Sequence, residues 1–207
     1  MFDFDGLLAD TNEAWAEAER QAFSRVGVTV TAEGQRETAA MTTSEVADYW
    51  FRRQPWSGRE KRQLEGDVVA LVQEELSLNC RAMPGAVEAV AFCADRGWVL
   101  GVATNCPRRV CKSALVALGI YDSLNAVVTS EDVPSGKPAP DVYLRCAELL
   151  NAHPRNCLVF EDTPSGALAA KRAGALVVGV PSMVSQAEEM KILADLCLPS
   201  LKGVLDF

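Results

Sequence analysis

Two carboxylates, Asp3 and Asp5, follow the hydrophobic stub Met1-Phe2, and Gly6 comes directly after them. Residues i and i+2 of a strand share a face, so both acids would meet at the strand's C-terminal end, where open α/β sheets bind ligands. Later in the chain an apolar run ends in Thr104-Asn105, Lys137 stands within Ser135-Gly136-Lys137-Pro138, and another apolar run ends in Glu161-Asp162. Each feature alone has an ordinary explanation: a surface acid pair, a turn, a solvated loop lysine, a helix N-terminus favoured by its dipole. As an ordered set they point to metal-assisted chemistry on a phosphate. Acids at successive strand ends repel one another unless a cation or substrate compensates, and a hydroxyl and an ammonium suit phosphoryl oxygens.

The elements that must position these groups follow from periodicity. The second half alternates, with helices at 86–96, 108–118, 141–150 and 165–173 and strands at 98–103, 126–129, 157–160 and 175–180. Gly97, Gly119 and Gly174 supply three helix stops, and Val87, Val90, Ala91 and Ala94 read as the apolar face of the first helix. This rhythm predicts an α/β fold with a Rossmann-like, doubly wound parallel sheet and right-handed crossovers. The earlier residues read differently. Helices are expected at 12–26 (Trp15, Ala18, Ala22 and Phe23 inward), 43–53 and 60–76, with no strand run before Trp98. The simplest organisation is an inserted all-helical cap, 12–83, in a catalytic core of 1–11 and 84–207, with Met83-Pro84-Gly85 as the return hinge.

Composition bounds the function. A chain of 207 residues can bury a substantial core. A net charge of −8 and a pI near 4.8 argue against a nucleic-acid backbone as partner, while a metal ion and a lysine can still set a local field that accepts a small anion. The seven cysteines form no Cys-x-x-Cys pair and read as reduced, buried thiols. The single histidine, His153, sits beside Pro154 in an expected loop, which argues against zinc. No apolar run is long enough to span a membrane and no signal peptide is visible, so the expected address is the cytoplasm.

The set resembles the haloacid dehalogenase-type phosphatase superfamily, with its four motifs in order. Asp3-Phe4-Asp5-Gly6-Leu7-Leu8-Ala9-Asp10-Thr11 is similar to the first motif, Thr104 ends the second, Lys137 matches the third and Glu161-Asp162 the fourth. The segment Trp50-Phe51-Arg52-Arg53-Gln54-Pro55-Trp56-Ser57-Gly58 resembles the cap of the hexitol phosphatase and 2-deoxyglucose-6-phosphate phosphatase branch, which is related to β-phosphoglucomutase. The resemblance implies Mg²⁺ as cofactor, held by Asp3, Asp162, the backbone carbonyl of Asp5 and Glu161 through metal waters. It implies Asp3 as nucleophile, forming an aspartyl-phosphate, and Asp5 as general acid and then base. Thr104, the Asn105 backbone N–H and Lys137 would stabilise the transferring phosphoryl oxygens. The implied substrate is a small sugar or polyol phosphate monoester, enclosed by the cap, and the implied state is a monomer.

The chain departs from that pattern at three places. Only Met1 and Phe2 precede Asp3 where the family has several apolar residues, so the central strand is expected to be short, with fewer ladder hydrogen bonds and less buried area. Ala40-Met41-Thr42 stands where relatives carry a glycine and an arginine in the specificity loop, and Thr42 cannot make an arginine's bidentate contact. Cys106 stands where a serine is common, and reads as a tolerated small residue. Trp15 occupies a region where the sugar phosphomutases place a cap histidine, which favours hydrolysis. The alternatives are a β-phosphoglucomutase-like mutase, a form impaired by its short first strand, and a phosphoacceptor module of the receiver type. Receivers carry their acceptor acid on a later strand and lack a helical insertion after the first.

Overall fold

The computed structural model describes residues 1–39 and 41–206. Its strand pairs are parallel, as the alternation requires. Strand β1 (Gly101–Ala103) pairs with β2 (Ala126–Val128), β3 (Leu158–Glu161) with β4 (Leu176–Gly179), and β4 with β5 (Leu196–Cys197). The opening segment joins these halves, because Phe2 bridges in parallel to Val102 on one side and to Phe160 on the other. The Phe2 N–H donates to Gly101 O at 2.8 Å and the Ala103 N–H to Phe2 O at 2.9 Å. On the other side the Phe160 N–H donates to Met1 O and the Asp3 N–H to Phe160 O, each at 3.0 Å. The order is therefore β2, β1, opening segment, β3, β4, β5, with Asp3 leaving the centre of the sheet. The segment is as short as expected and pairs through bridges, yet Phe2 is 1% exposed and stacks on Phe160 with ring centroids 4.9 Å apart.

Helices cover both faces. They are α1 (Asn12–Ser24), α2 (Ala32–Thr38), α3 (Thr43–Arg53), α4 (Lys61–Asn79), α5 (Ala86–Asp95), α6 (Arg108–Ala117), α7 (Asp141–Leu149), α8 (Pro164–Ala173) and α9 (Ala187–Leu193). Phe2, Val102, Phe160 and Val178 join a core with buried residues of α1 and α3 to α6. Their chain neighbours Met1, Ala103, Val159 and Val177 join a second core with α7, α8 and α9. Adjacent residues entering opposite cores is the period of two that a sheet buried on both faces produces. Helices α1 to α4 make up one helical stretch between the opening segment and α5. The chain leaves for it and returns side by side: the Asp10 N–H donates to Arg81 O at 2.9 Å and the Met83 N–H to Leu8 O at 3.0 Å.

Several expectations are corrected. The strand expected at 98–103 begins only at Gly101. Trp98 still closes the end of α5, its N–H donating to Cys93 O at 3.2 Å across the left-handed Gly97, so Trp98 and Val99 are exposed. Helix α5 buries Ala86, Ala89, Val90 and Cys93, whereas Val87 and Ala91 face solvent. Its small residues let it approach the C-terminal turn Leu201–Asp206 closely. Helices α2 and α9 and strand β5 were not expected. Helix α2 has no apolar stripe; it packs through Gly34, where a Cβ would run into the Trp50 ring. All seven cysteines are free. Among the described residues no helix is long and apolar enough to cross a membrane.

Candidate active site

The sheet's C-terminal edge gathers the polar groups singled out in the sequence. Asp3, Asp5, Thr104, Asn105, Lys137 and Asp162 line one cleft of about 390 Å³, whose opposite wall is built by α1, α2 and α3. That volume falls in the range of small-molecule sites.

Asp3 is nearly buried, at 6% exposure, and its Oδ1 accepts from the Lys137 Nζ at 2.5 Å. Lys137 is equally buried and donates to Glu161 Oε1 at 2.6 Å as well. Burial alone would favour the neutral amine, but the two carboxylates override it and raise the lysine's pKa, so it is a fixed cation. Glu161 also accepts from the Tyr143 hydroxyl, a partner that the sequence did not suggest. Burial and then the Asp3 charge push the Glu161 carboxyl up to about 7, against the pull of Lys137 and Tyr143.

Asp162 completes an acidic cluster, since one carboxylate oxygen from each of Asp3, Glu161 and Asp162 lies within 4.8 Å of the others. Ser182 donates to Asp162 Oδ2 at 2.7 Å, while the buried Asp162 Oδ1 has no hydrogen-bond partner among the described residues. Burial, then Asp3 and Glu161, raise the Asp162 pKa well above its usual value. Three buried carboxylates against one lysine, with one oxygen orphaned, form a donor set that suits a hard divalent cation. Gly6 makes the cluster possible. At φ +71° it turns the chain sharply, and a Cβ there would collide with Asp162 Oδ2.

Asp5 stands two residues on, with a different environment. Its Oδ1 accepts from the Thr11 hydroxyl at 2.7 Å and the Trp15 indole N–H at 2.8 Å. Burial and the Asp3 charge lift its pKa to about 6, opposed by those two donors and Lys137. The Asp5 carboxyl therefore keeps its proton to a higher pH than an ordinary aspartate.

Thr104 is buried, with its hydroxyl 3.5 Å from Asp5 Oδ2 and accepting from the Cys106 N–H at 3.0 Å. The Asn105 side chain fastens the lysine loop: its Oδ1 accepts from the Lys137 N–H at 2.8 Å and its Nδ2 donates to Lys137 O at 3.2 Å. Cys106 is buried and its thiol pKa is raised well above the usual value by burial, then by the charge of Asp5, which makes it a poor nucleophile.

From α1, Trp15 reaches the cleft and clamps Asp5, a contact that packing arguments alone did not anticipate. Ala40 lies outside the described residues. Thr42 caps α3, its hydroxyl donating to Glu45 Oε2 at 2.8 Å, while its neighbours Met41 and Thr43 line the cleft. Glu19, Gln35 and Arg36 also line it. None was marked by the sequence: Glu19 falls among other charged residues of an expected helix, and Gln35 and Arg36 lie where no element was expected.

Comparison with known proteins places this geometry. The family model described as "Haloacid dehalogenase-like hydrolase" matches residues 1–180. Hexitol phosphatase B of Escherichia coli (strain K12) is 34% identical over 206 residues, covering 97% of this chain and 91% of that protein. Validoxylamine A 7'-phosphate phosphatase of Streptomyces hygroscopicus subsp. limoneus is 33% identical over 181 residues, covering 87% and 84%. Among solved structures, CbbY from Rhodobacter sphaeroides in complex with phosphate superposes with a TM-score of 0.90 at 24% identity, covering 100% of this chain and 97% of that one. β-Phosphoglucomutase from Clostridium difficile superposes at 0.84 with 22% identity, over 97% and 89%. With a parallel sheet that carries an acidic cluster at its C-terminal edge and a family match over most of its length, the chain belongs to the haloacid dehalogenase-like hydrolases.

Proposed function

We propose that this chain is a Mg²⁺-dependent phosphatase that hydrolyses sugar or polyol monophosphates through an aspartyl-phosphate. The carrying observation is a pair of carboxylates, two residues apart, that meet different partners in one cleft. Asp3 is held against Lys137, and Asp5 sits between the Thr11 and Trp15 donors with its pKa raised to about 6 by burial and then the Asp3 charge. Similarity to a hexitol phosphatase and to a validoxylamine A 7'-phosphate phosphatase supports a small phosphate monoester as substrate.

Asp3 attacks phosphorus in line, and the leaving alkoxide takes a proton from Asp5. Water then attacks the phosphoaspartate as Asp5 recovers the proton, freeing phosphate and Asp3. Lys137, the Thr104 hydroxyl and the Asn105 backbone N–H hold the phosphoryl oxygens. Mg²⁺, held by Asp3, Asp162 and the Asp5 carbonyl with Glu161 behind them, would supply the positive charge that lets a carboxylate approach a phosphate dianion. The Trp15 clamp keeps the Asp5 carboxyl aimed at the leaving oxygen. Residues 1–11 and 84–207 carry the chemistry. Residues 12–83 act as a cap that hinges at Met83–Gly85, excludes bulk water and reads the leaving group.

The test is phosphate release by the purified protein from hexose and hexitol 6-phosphates with Mg²⁺ and with chelator, using Asp3→Asn as the control. Release that requires both Mg²⁺ and Asp3 is expected. No release across the panel overturns the reading. Isomerised product with little free phosphate would make it a mutase, and a long-lived phosphoaspartate without turnover a phosphoacceptor.

A further inference from the structure

Helix α1 turns Asn12, Glu13, Trp15, Ala16 and Glu19 toward the cleft. Glu19 is unlike the other acids of that helix. It is 8% exposed, whereas Glu13 and Glu17 are exposed and share Arg20 between them. Among the described residues Glu19 makes no salt bridge. The nearby Gln35 amide favours its charged form. That amide is itself fixed, with Nε2 donating to Ala16 O at 2.8 Å and Oε1 accepting from Arg20 Nη1 at 3.3 Å. Arg20, engaged by Glu13 and Glu17, offsets only part of the cost of burying this carboxylate. A tether between α1 and α2 needs only an amide or a hydroxyl.

Position supplies the explanation. Trp15 and Glu19 are i and i+4 on one helix face, about 5–6 Å apart between Cβ atoms. The Trp15 indole touches Asp5, the group assigned to the leaving oxygen. Glu19 therefore stands one helical turn farther along the path of the leaving group. A carboxylate accepts about four hydrogen bonds and donates none when ionised, and Gln35 uses only part of that capacity. We infer that Glu19 is a specificity-determining residue that accepts hydrogen bonds from hydroxyls of an uncharged, polyhydroxylated leaving group, with Gln35 setting its orientation. The same charge repels a second anionic group, so the preferred substrate is a monophosphate of a polyol or sugar, not a bisphosphate. This inference rests on the phosphatase reading above.

The experiment compares kcat/KM at pH 8 for a hexitol 6-phosphate, n-hexyl phosphate and a hexose 1,6-bisphosphate, in wild type, Glu19→Gln and Glu19→Asp. Wild type should prefer the hexitol phosphate to the chain of equal length without hydroxyls. One hydrogen bond to a charged group corresponds to a preference of about 10- to 100-fold. In Glu19→Gln that ratio should fall by about tenfold or more and the bisphosphate should gain relative to the monophosphate, while Glu19→Asp, which keeps the charge, should retain part of the preference. Because each variant supplies its own hexyl phosphate reference, a general loss of active protein cancels. A ratio unchanged within twofold in Glu19→Gln overturns the inference while the phosphatase reading stands, as does a wild type that prefers the bisphosphate. A wild type that releases phosphate from none of the three overturns the phosphatase reading, and the inference falls with it.

Discussion

A carboxylate retained in a near-buried place for recognition should weaken the fold, and Glu19 allows that cost to be worked out. Its pKa is pushed up to about 7 by burial, with Gln35 and Arg20 opposing, from an ordinary value of 4.5. Below pH 4.5 the carboxyl is protonated in both folded and unfolded chains, and its contribution to stability is fully present. Between 4.5 and 7 the unfolded chain ionises while the folded one keeps its proton, so stability is lost as pH rises through the folded pKa. At about 1.36 kcal/mol per pH unit the loss approaches 3 kcal/mol above pH 7. Glu19→Gln keeps the volume and the Gln35 contact and does not titrate. It should match wild type near pH 4.5 and exceed it by about 3 kcal/mol at pH 8, or roughly 6–12 °C in Tm for a chain of this size. The assay is thermal unfolding by circular dichroism in chelator at half-unit steps from pH 4.5 to 8.5, read as the difference between variant and wild type so that the other titrating groups cancel. A flat difference across that range, or a wild type more stable at pH 8, would refute the reasoning.

Phe2→Ala removes the ring that stacks on Phe160 in the central bridge and should cost about 3–5 kcal/mol, read as a fall of roughly 6–20 °C in Tm. Lys137→Met strands Asp3 and Glu161 without their cation and should abolish turnover. In chelator it should destabilise by about 3–5 kcal/mol at pH 8, and by less at pH 5, where Glu161, pushed up to about 7, is neutral. Trp15→Phe keeps the ring but deletes the donor to Asp5 Oδ1; kcat should fall by about tenfold, the worth of one charge-assisted hydrogen bond, with Tm nearly unchanged.

The chemical end of the site was legible in the sequence because the proposed reaction demands residue types, not merely sizes. Two acids two residues apart, a hydroxyl and a closing acid pair stand at the ends of sheet elements, which brings them to one edge, and a lysine joins them from a loop fastened by Asn105. The sheet was legible from short apolar runs that alternate with longer helical segments. Local composition misled where backbone geometry decided. Trp98 and Val99 look like strand residues, but a left-handed Gly97 keeps them in the turn that closes α5. Helix α2 carries no apolar stripe, since what it buries is a missing Cβ at Gly34 against Trp50.

The recognition end was illegible for a deeper reason. Glu19, in Ala16-Glu17-Ala18-Glu19-Arg20, reads as one more solvated helix acid, and only packing separates it from Glu17 two residues earlier. A helix of 3.6 residues per turn places Glu19 on the face of Trp15 and Glu17 on another, but which face meets the cleft depends on how α1 sits against α2 and the sheet edge. The same division explains how one scaffold serves many substrates. Side chains proposed to meet phosphate are constrained by the chemistry of phosphoryl transfer, whereas those proposed to meet the leaving group answer only to their own cleft. Discrimination in this chain should therefore respond to changes in α1 and α2, and turnover of every substrate to changes at Asp3, Asp5 and Lys137.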